Sequence, residues 1–168
     1  MEPVVPDMTS PKLEVPLRTL LEAALDVCFH NAESRRDVLR FLDALRVPIM
    51  VTDASRGPNG PRILYVNPEF CDLCGYPRGE LIGNTPHRLQ GPATDVSRAK
   101  AFRDELEASG RASARLTNYR ADGSPYTVRI RAGKLDLGTR LDAQLRIAFE
   151  TEVAAAAPQG AVRDDAPV

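Results

Sequence analysis

The chain has 168 residues and a net charge of -1, with 22 basic and 23 acidic side chains mixed along it. This length suits one domain with appendages and is enough to bury a core without disulfides or metals. The charge balance argues against nucleic acid as a partner, because non-specific binding to phosphates needs a basic surface.

The cysteine content and the N-terminal residues predict a cytoplasmic protein. The three cysteines, Cys28, Cys71 and Cys74, are an odd number, which is typical of a reducing compartment. The first residues offer neither the basic nor the apolar segment of a signal peptide. No uninterrupted apolar run approaches the ~20 residues that a membrane helix needs, so we expect no membrane association.

Both ends of the chain, residues 1–12 and 153–168, have compositions that predict disorder. Residues 13–46 are predicted to be helical, and the first part of that segment carries an apolar stripe at helical spacing. Either the chain's own sheet or a second copy must cover this stripe. Because the predicted outer sheet face carries several charged residues, we expect a homodimer whose interface includes Leu17, Leu20, Leu21 and Leu25.

The main domain is expected at about residues 47–152. Two short apolar runs, 49–52 and 63–66, flank a segment rich in glycine and proline and predict a hairpin. Asn67 and Pro68 then predict the start of a helix, with asparagine as the cap and proline at the first helical position.

A longer helix is predicted from a cap at Thr94 or Asp95 to about Ala108. Three more strands follow, at about 112–120, 125–132 and 141–151. This order of elements predicts an α+β domain in which short helices cover one face of a five-stranded antiparallel sheet.

Four motifs, in order, resemble the PAS family and its LOV photoreceptor branch. Residues 65–76 are similar to the signature "x-N-x-x-F-x-x-x-x-G-Y", and 80–83 continue it. Residues 83–95 are similar to "G-x-N-C-R-F-L-Q-G-P-x-T-D", and 116–123 to "I-N-Y-x-x-x-G". The resemblance covers about residues 47–152 and implies a PAS fold with a sensory role.

LOV domains bind flavin mononucleotide (FMN) and, in light, form a bond between the flavin and a cysteine. Pro86 stands at the position of that cysteine in the ungapped match. Because proline has no nucleophile, the resemblance implies a LOV-like domain without the covalent photochemistry.

The flavin contacts implied by the resemblance are a mixed set. Gln90, Asn118 and Arg103 match a glutamine at the ribityl chain, an asparagine at the ring and a phosphate-binding arginine. His87 replaces the other phosphate-binding arginine, and Val128 replaces a second ring-contacting asparagine. Gln90 and Asn118 have an alternative role, since such amides can bond the backbone and fix the core.

Strand parity gives an independent prediction for the last strand. Leu145, Ile147 and Phe149 share one face, and the simplest packing puts Phe149 inside and Glu150 outside. The LOV alignment instead gives Glu150 the position of the signalling glutamine, facing a flavin. An inward Phe149 fills the pocket, whereas an inward Glu150 places a costly unpaired carboxylate in it. Because neither arrangement favours a flavin, we expect no bound cofactor.

Cys71 and Cys74 form a C-x-x-C pair, which is a candidate redox or metal site. A single pair inside a predicted helix is more typical of packing, so no metal site is predicted. His87 lies beside Arg88 on a predicted loop, which favours a surface role.

The sequence therefore predicts a signalling module that is not an enzyme and that acts through a homodimer or a partner protein. Two alternatives stay open. One is a cysteine-less LOV protein that binds FMN non-covalently and signals by flavin photoreduction. The other is a dimerisation domain without a ligand.

Overall fold

The computed structural model describes residues 32–55, 60–135 and 145–154. The predicted five-stranded antiparallel sheet is confirmed, and its strand order is β2-β1-β5-β4-β3. The strands are β1 (Ile49–Asp53), β2 (Ile63–Val66), β3 (Arg111–Tyr119), β4 (Pro125–Leu135) and β5 (Leu145–Glu152). The predicted interface residues Leu17, Leu20, Leu21 and Leu25 and most of both predicted disordered ends lie outside the described residues.

The helices are α1 (Ala32–Ala44), α2 (Pro68–Cys74), α3 (Arg78–Leu81), the 3₁₀ helix Pro86–Leu89 and α4 (Val96–Ser109). The Asn67 side chain caps α2 and the Asp95 side chain caps α4, as the sequence predicts. Both helices end at a glycine in the left-handed region, Gly75 with φ 72° and Gly110 with φ 76°. No helix in these described ranges is long and apolar enough to cross a membrane.

Asn67 joins three elements through hydrogen bonds of one fully buried side chain. Its Oδ1 accepts from the backbone N–H of Phe70 at 3.1 Å, in α2, and of Ile49 at 2.9 Å, in β1. Its Nδ2 donates to the carbonyl oxygens of Val47 at 2.8 Å and of Leu42 at 3.3 Å, at the end of α1. A hydrophobic residue here leaves several buried backbone groups unpaired, which is why a polar side chain is retained in the core.

The α1 helix is also held to the domain by its charged side. The hydroxyl of Tyr65, on β2, donates to Asp43 at 2.7 Å, and the Arg78 guanidinium, on α3, contacts the same carboxylate at 2.6 Å. These contacts tie α1, which the sequence assigned to a separate helical segment, to the sheet.

The sheet buries apolar side chains on both faces. The inner face, covered by α2 to α4, contributes to a core of Met50, Ile63, Val66, Phe70, Cys74, Leu81, Leu89, Ala99, Leu116, Tyr126, Val128 and Ile130. The outer face is covered by α1 at one end, where the core contains Val38, Leu42, Ile49, Val51, Leu135, Leu145 and Ile147. Arg115, Arg129 and Arg131 occupy the exposed remainder of the outer face.

The parity prediction for β5 is wrong. Phe149 packs with the outer-face core, beside Leu42 and Leu45 of the α1 segment, whereas Glu150 points inward and is only 1% exposed. The prediction assumed that the apolar set of β5 faces the main core. It fails because α1 supplies a second apolar layer, so the apolar set of β5 is buried on the outer face.

Candidate functional site

A pocket lies between the inner face of the sheet and the segment that contains the 3₁₀ helix and α4. Its internal volume is about 110 Å³ and its walls are mostly apolar. All strands but β2 contribute to the wall. The lining residues are Met50, Thr52, Pro61, Pro86, His87, Leu89, Gln90, Ala99, Phe102, Arg103, Leu106, Leu116, Asn118, Ile130, Ala132, Arg146, Ala148 and Glu150.

The loop after the 3₁₀ helix is fixed to β3, and this holds Gln90 at the pocket. The Thr94 hydroxyl donates to the carbonyl of Thr117 at 2.6 Å, and the Ala93 N–H donates to the Tyr119 hydroxyl at 2.9 Å. Gly91 lies under the Tyr119 ring so closely that a Cβ on it would come within 2.4 Å of the ring. Only glycine permits this approach without displacement of the ring.

Gln90 and Asn118 bring two amide side chains to the pocket wall. Asn118 is buried on β3, opposite Tyr126 of β4. Gln90 Oε1 lies 3.0 Å from Nδ1 of His87, so these two side chains share a hydrogen bond at the pocket entrance.

Glu150 is the least compensated group of the pocket. Neither of its carboxylate oxygens has a hydrogen-bond partner among the described residues. Burial raises the pKa of Glu150 from 4.5 to about 8, so the side chain is protonated at neutral pH. A neutral carboxyl group presents one O–H donor and one carbonyl acceptor to the cavity.

The nearest cation on the same face of β5 is engaged elsewhere. Arg146 pairs with Glu107 of α4, and Lys134 of β4 lies 3.3 Å from the other oxygen of Glu107. At the end of β5, Arg120 pairs with Glu152 at 2.8 Å. Arg146 and Arg120 are therefore engaged by other acids, and Glu150 has no ion pair among the described residues.

Burial also suppresses the acidity of the groups beside Glu150. It raises the pKa of Cys74 to about 11. It also raises the pKa of Tyr126, and the negative charge of an ionised Glu150 would raise that pKa further. Both groups are therefore neutral at physiological pH. The structure places Cys74 in the core and Cys71 half-buried beside it, an arrangement that favours the predicted packing role of the C-x-x-C pair.

The pocket brings together most of the residues singled out in the sequence. Six of them line it: Pro86, His87, Gln90, Arg103, Asn118 and Glu150. Val128 is fully buried in the inner core but is not part of the pocket wall. His87 is exposed, as expected.

Sequence reasoning missed Arg146 and Glu107, whose pairing spans 39 residues. No local pattern signals a contact at such a separation. Ala99, Phe102 and Leu106 of α4 also line the pocket, and their spacing along the helix does not by itself indicate a cavity.

A family model described as PAS fold matches residues 36–139. The chain belongs to the PAS family. The match begins inside α1, in keeping with the packing of that helix on the sheet.

The relatives and solved structures point to the LOV branch. The blue-light-activated histidine kinase 1 of Erythrobacter litoralis is 31% identical over 115 residues, 68% of this chain and 31% of the kinase. The blue-light photoreceptor of Listeria monocytogenes is 32% identical over 89 residues, 53% of this chain and 34% of the receptor. This chain thus corresponds to about a third of either relative. A LOV domain solved in work on a flavin analogue superposes with a TM-score of 0.60 at 26% identity, covering 70% of this chain and 85% of that domain.

The raised pKa of Glu150 predicts a stability profile that falls with pH. The folded state retains a proton that the unfolded state loses, so stability is full below about pH 4.5 and is lost as the pH rises to about 8. Relative to Glu150→Gln, which carries no charge, the wild type is expected to lose on the order of 3 kcal/mol of unfolding free energy between about pH 5 and about pH 8. Urea unfolding of both proteins at the two pH values measures this difference.

Glu152→Gln is the matched control for this measurement, because Glu152 lies on the same strand but is exposed. This control is expected to follow the wild-type profile between about pH 5 and about pH 8. Parallel profiles for wild type and Glu150→Gln would show that Glu150 is solvated or paired.

Proposed function

We propose that this protein is a sensory PAS module that is not an enzyme, that signals through a homodimer or a partner protein, and that does so without covalent flavin chemistry. The observation that carries the proposal is the pocket itself, in which Pro86 faces the cavity and a buried, uncompensated Glu150 forms part of the wall. A ligand or a proton that satisfies Glu150 changes the free energy of one conformation relative to another, which is the physical basis of a sensor.

The position of Glu150 on β5 supports the transmission of such a change. Glu150 pairs with Ile130 of β4, and its neighbour Phe149 pairs with Ile49 of β1 and packs on the outer-face core. Successive residues of β5 thus contact the pocket on one face and the layer under α1 on the other. A shift of β5 would change the surface on which α1 packs. The α1 helix belongs to the segment of residues 13–46 in which the dimer interface is predicted.

The pocket chemistry supports a non-catalytic role. Its histidine is bonded to an amide, and its buried acid has no partner, so no nucleophile and base are paired among the described pocket residues. The histidine kinase relative is about three times as long as the matched region, so its kinase activity does not follow from a match to this chain.

FMN binding is the second candidate, favoured by the meeting of Gln90, Asn118 and Arg103 at one cavity. The cavity is smaller than the pockets that commonly hold such a ligand. A pocket for a ligand of this size commonly encloses ~300–1,000 Å³, whereas this one encloses about 110 Å³. The residues at two other flavin positions also depart from the LOV set, since Val128 is outside the wall and Pro86 offers no thiol.

An absorption spectrum of freshly purified protein distinguishes the two candidates. We expect no flavin band in the visible region and no change after blue light. A flavin band that bleaches reversibly and persists after desalting would establish the cysteine-less LOV alternative. Free FMN added to the colourless protein and then removed by desalting provides the control for weak, adventitious association.

The proposed homodimer rests on the apolar stripe of Leu17, Leu20, Leu21 and Leu25 and on the surface of α1. The Val38 and Leu42 side of α1 is buried on the sheet, and Leu39 and Phe41, which flank that side in opposite directions around the helix, remain 39% and 40% exposed. These partly exposed apolar side chains and the predicted apolar stripe earlier in the sequence together support an association surface.

Light scattering of the full chain tests the dimer. The double substitution Leu21→Glu and Leu25→Glu is expected to convert a dimer to a monomer, because it places charges in an apolar interface. Leu64→Glu is the matched control, since Leu64 is 48% exposed on the edge strand β2 and lies outside the predicted interface segment, and it is expected to leave the dimer intact. A wild-type monomer would refute the homodimer.

A further inference from the structure

The pocket contains one buried carboxyl group without a hydrogen-bond partner among the described residues, and its other walls are mostly apolar. Glu150 is buried with both carboxyl oxygens unpartnered, and it faces a cavity walled by Met50, Phe102, Leu106 and Ile130. An unsatisfied buried polar group carries the full cost of its desolvation, so a ligand that supplies the missing partner gains that free energy on binding.

The size of the cavity limits the ligand. A closed apolar cavity of ~150 Å³ accommodates a single benzene ring. The present pocket has an internal volume of about 110 Å³ and is open on one side, where His87 and Gln90 stand. A ligand that fits is therefore compact, with about one ring.

The surrounding charges disfavour a cationic ligand. The titratable groups around the pocket are Tyr126 on β4 and Cys74 on α2, which interact electrostatically with Glu150, and His87 in the 3₁₀ helix, Arg103 on α4 and Arg146 on β5, which line the same cavity. Two of these are guanidinium groups. Arg146 is paired with Glu107, whereas Arg103 forms no ion pair within the described residues. Because Glu150 is neutral, a cation in this pocket finds a positive charge and no anion among the described lining residues.

We infer, building on the sensory role proposed above, that the pocket takes a compact neutral ligand with a carboxamide-type group, whose carbonyl accepts a hydrogen bond from the Glu150 hydroxyl and whose N–H donates to the Glu150 carbonyl. A protonated carboxyl and a carboxamide each present one donor and one acceptor along one edge, so the two edges match in a pair of hydrogen bonds. The ring of the ligand lies against the apolar wall. Asn118 and Gln90, at the same cavity, offer further amide partners.

Two probes with the same ring and the same planar head group test this inference. Benzamide is neutral and has the required edge, whereas benzamidine has the same shape but is cationic. Affinities are measured on the full chain by protein-observed NMR titration at about pH 6.5 and about pH 9. We expect benzamide to bind wild type at least about tenfold more tightly than benzamidine at the lower pH, and to weaken about tenfold at the higher pH as Glu150 ionises.

Glu150→Gln is the matched variant, because glutamine keeps one donor and one acceptor at every pH. Benzamide is expected to bind it with equal affinity at both pH values, and Glu150→Leu is expected to abolish binding. The inference is overturned if benzamide shifts no pocket resonance, if its affinity for wild type does not depend on pH, or if benzamidine binds as tightly at the lower pH. The absorption spectrum is recorded before any probe is added. A flavin band at that stage would contradict the cofactor-free proposal, and this outcome is distinct from a failure of benzamide to bind.

Discussion

The register of β5 is the constraint on which the pocket depends. Glu150 pairs with Ile130 and Phe149 pairs with Ile49, so a slip of one residue would exchange the two faces of the strand. Keeping Glu150 protonated inside the fold at neutral pH costs on the order of 3 kcal/mol. The same register buries Leu145 and Ile147 and partly buries Phe149 in the outer-face core, where each fully buried side chain contributes ~2 kcal/mol. The apolar side chains outweigh the acid and hold it in the cavity.

The local signals in the sequence were sufficient for much of the fold. Asn67 and Asp95 cap their helices as expected, and glycines mark the ends of both helices and the turn between β3 and β4. Such signals are read within a few residues of the chain and depend little on tertiary context. The antiparallel sheet was predicted from the order of strands and helices and from the resemblance to the PAS family, whereas the order of its strands was not predicted.

The orientation of Glu150 required information that the strand itself does not contain. Parity separates Phe149 from Glu150 but does not say which face is inner, and that choice depends on α1, more than 100 residues earlier in the chain. The alignment with LOV domains gave the correct face, because homologous register carries the tertiary context with it. The isolation of Glu150 was likewise hidden, since it depends on the pairing of Arg146 with Glu107 on a different element.

These features change the meaning of the proline at the cysteine position. Pro86 alone removes a nucleophile, yet the surrounding cavity, with Gln90, Asn118 and Arg103, is retained in a PAS-family chain whose relatives include blue-light receptors. The described lining of this cavity contains no cysteine, and its buried acidic group is the neutral carboxyl of Glu150. In our account the pocket remains the sensory site, and hydrogen bonding to Glu150 replaces covalent bond formation as the event that is sensed.

The most direct measurement is the titration of the Glu150 carboxyl carbon by ¹³C NMR, assigned by comparison with Glu150→Gln. Our account predicts that this carbon titrates near pH 8, far above the ~4.3 of a free glutamate side chain. A Glu150 resonance that titrates at the free glutamate value would contradict the account, because the side chain would then be solvated or paired rather than isolated in the pocket.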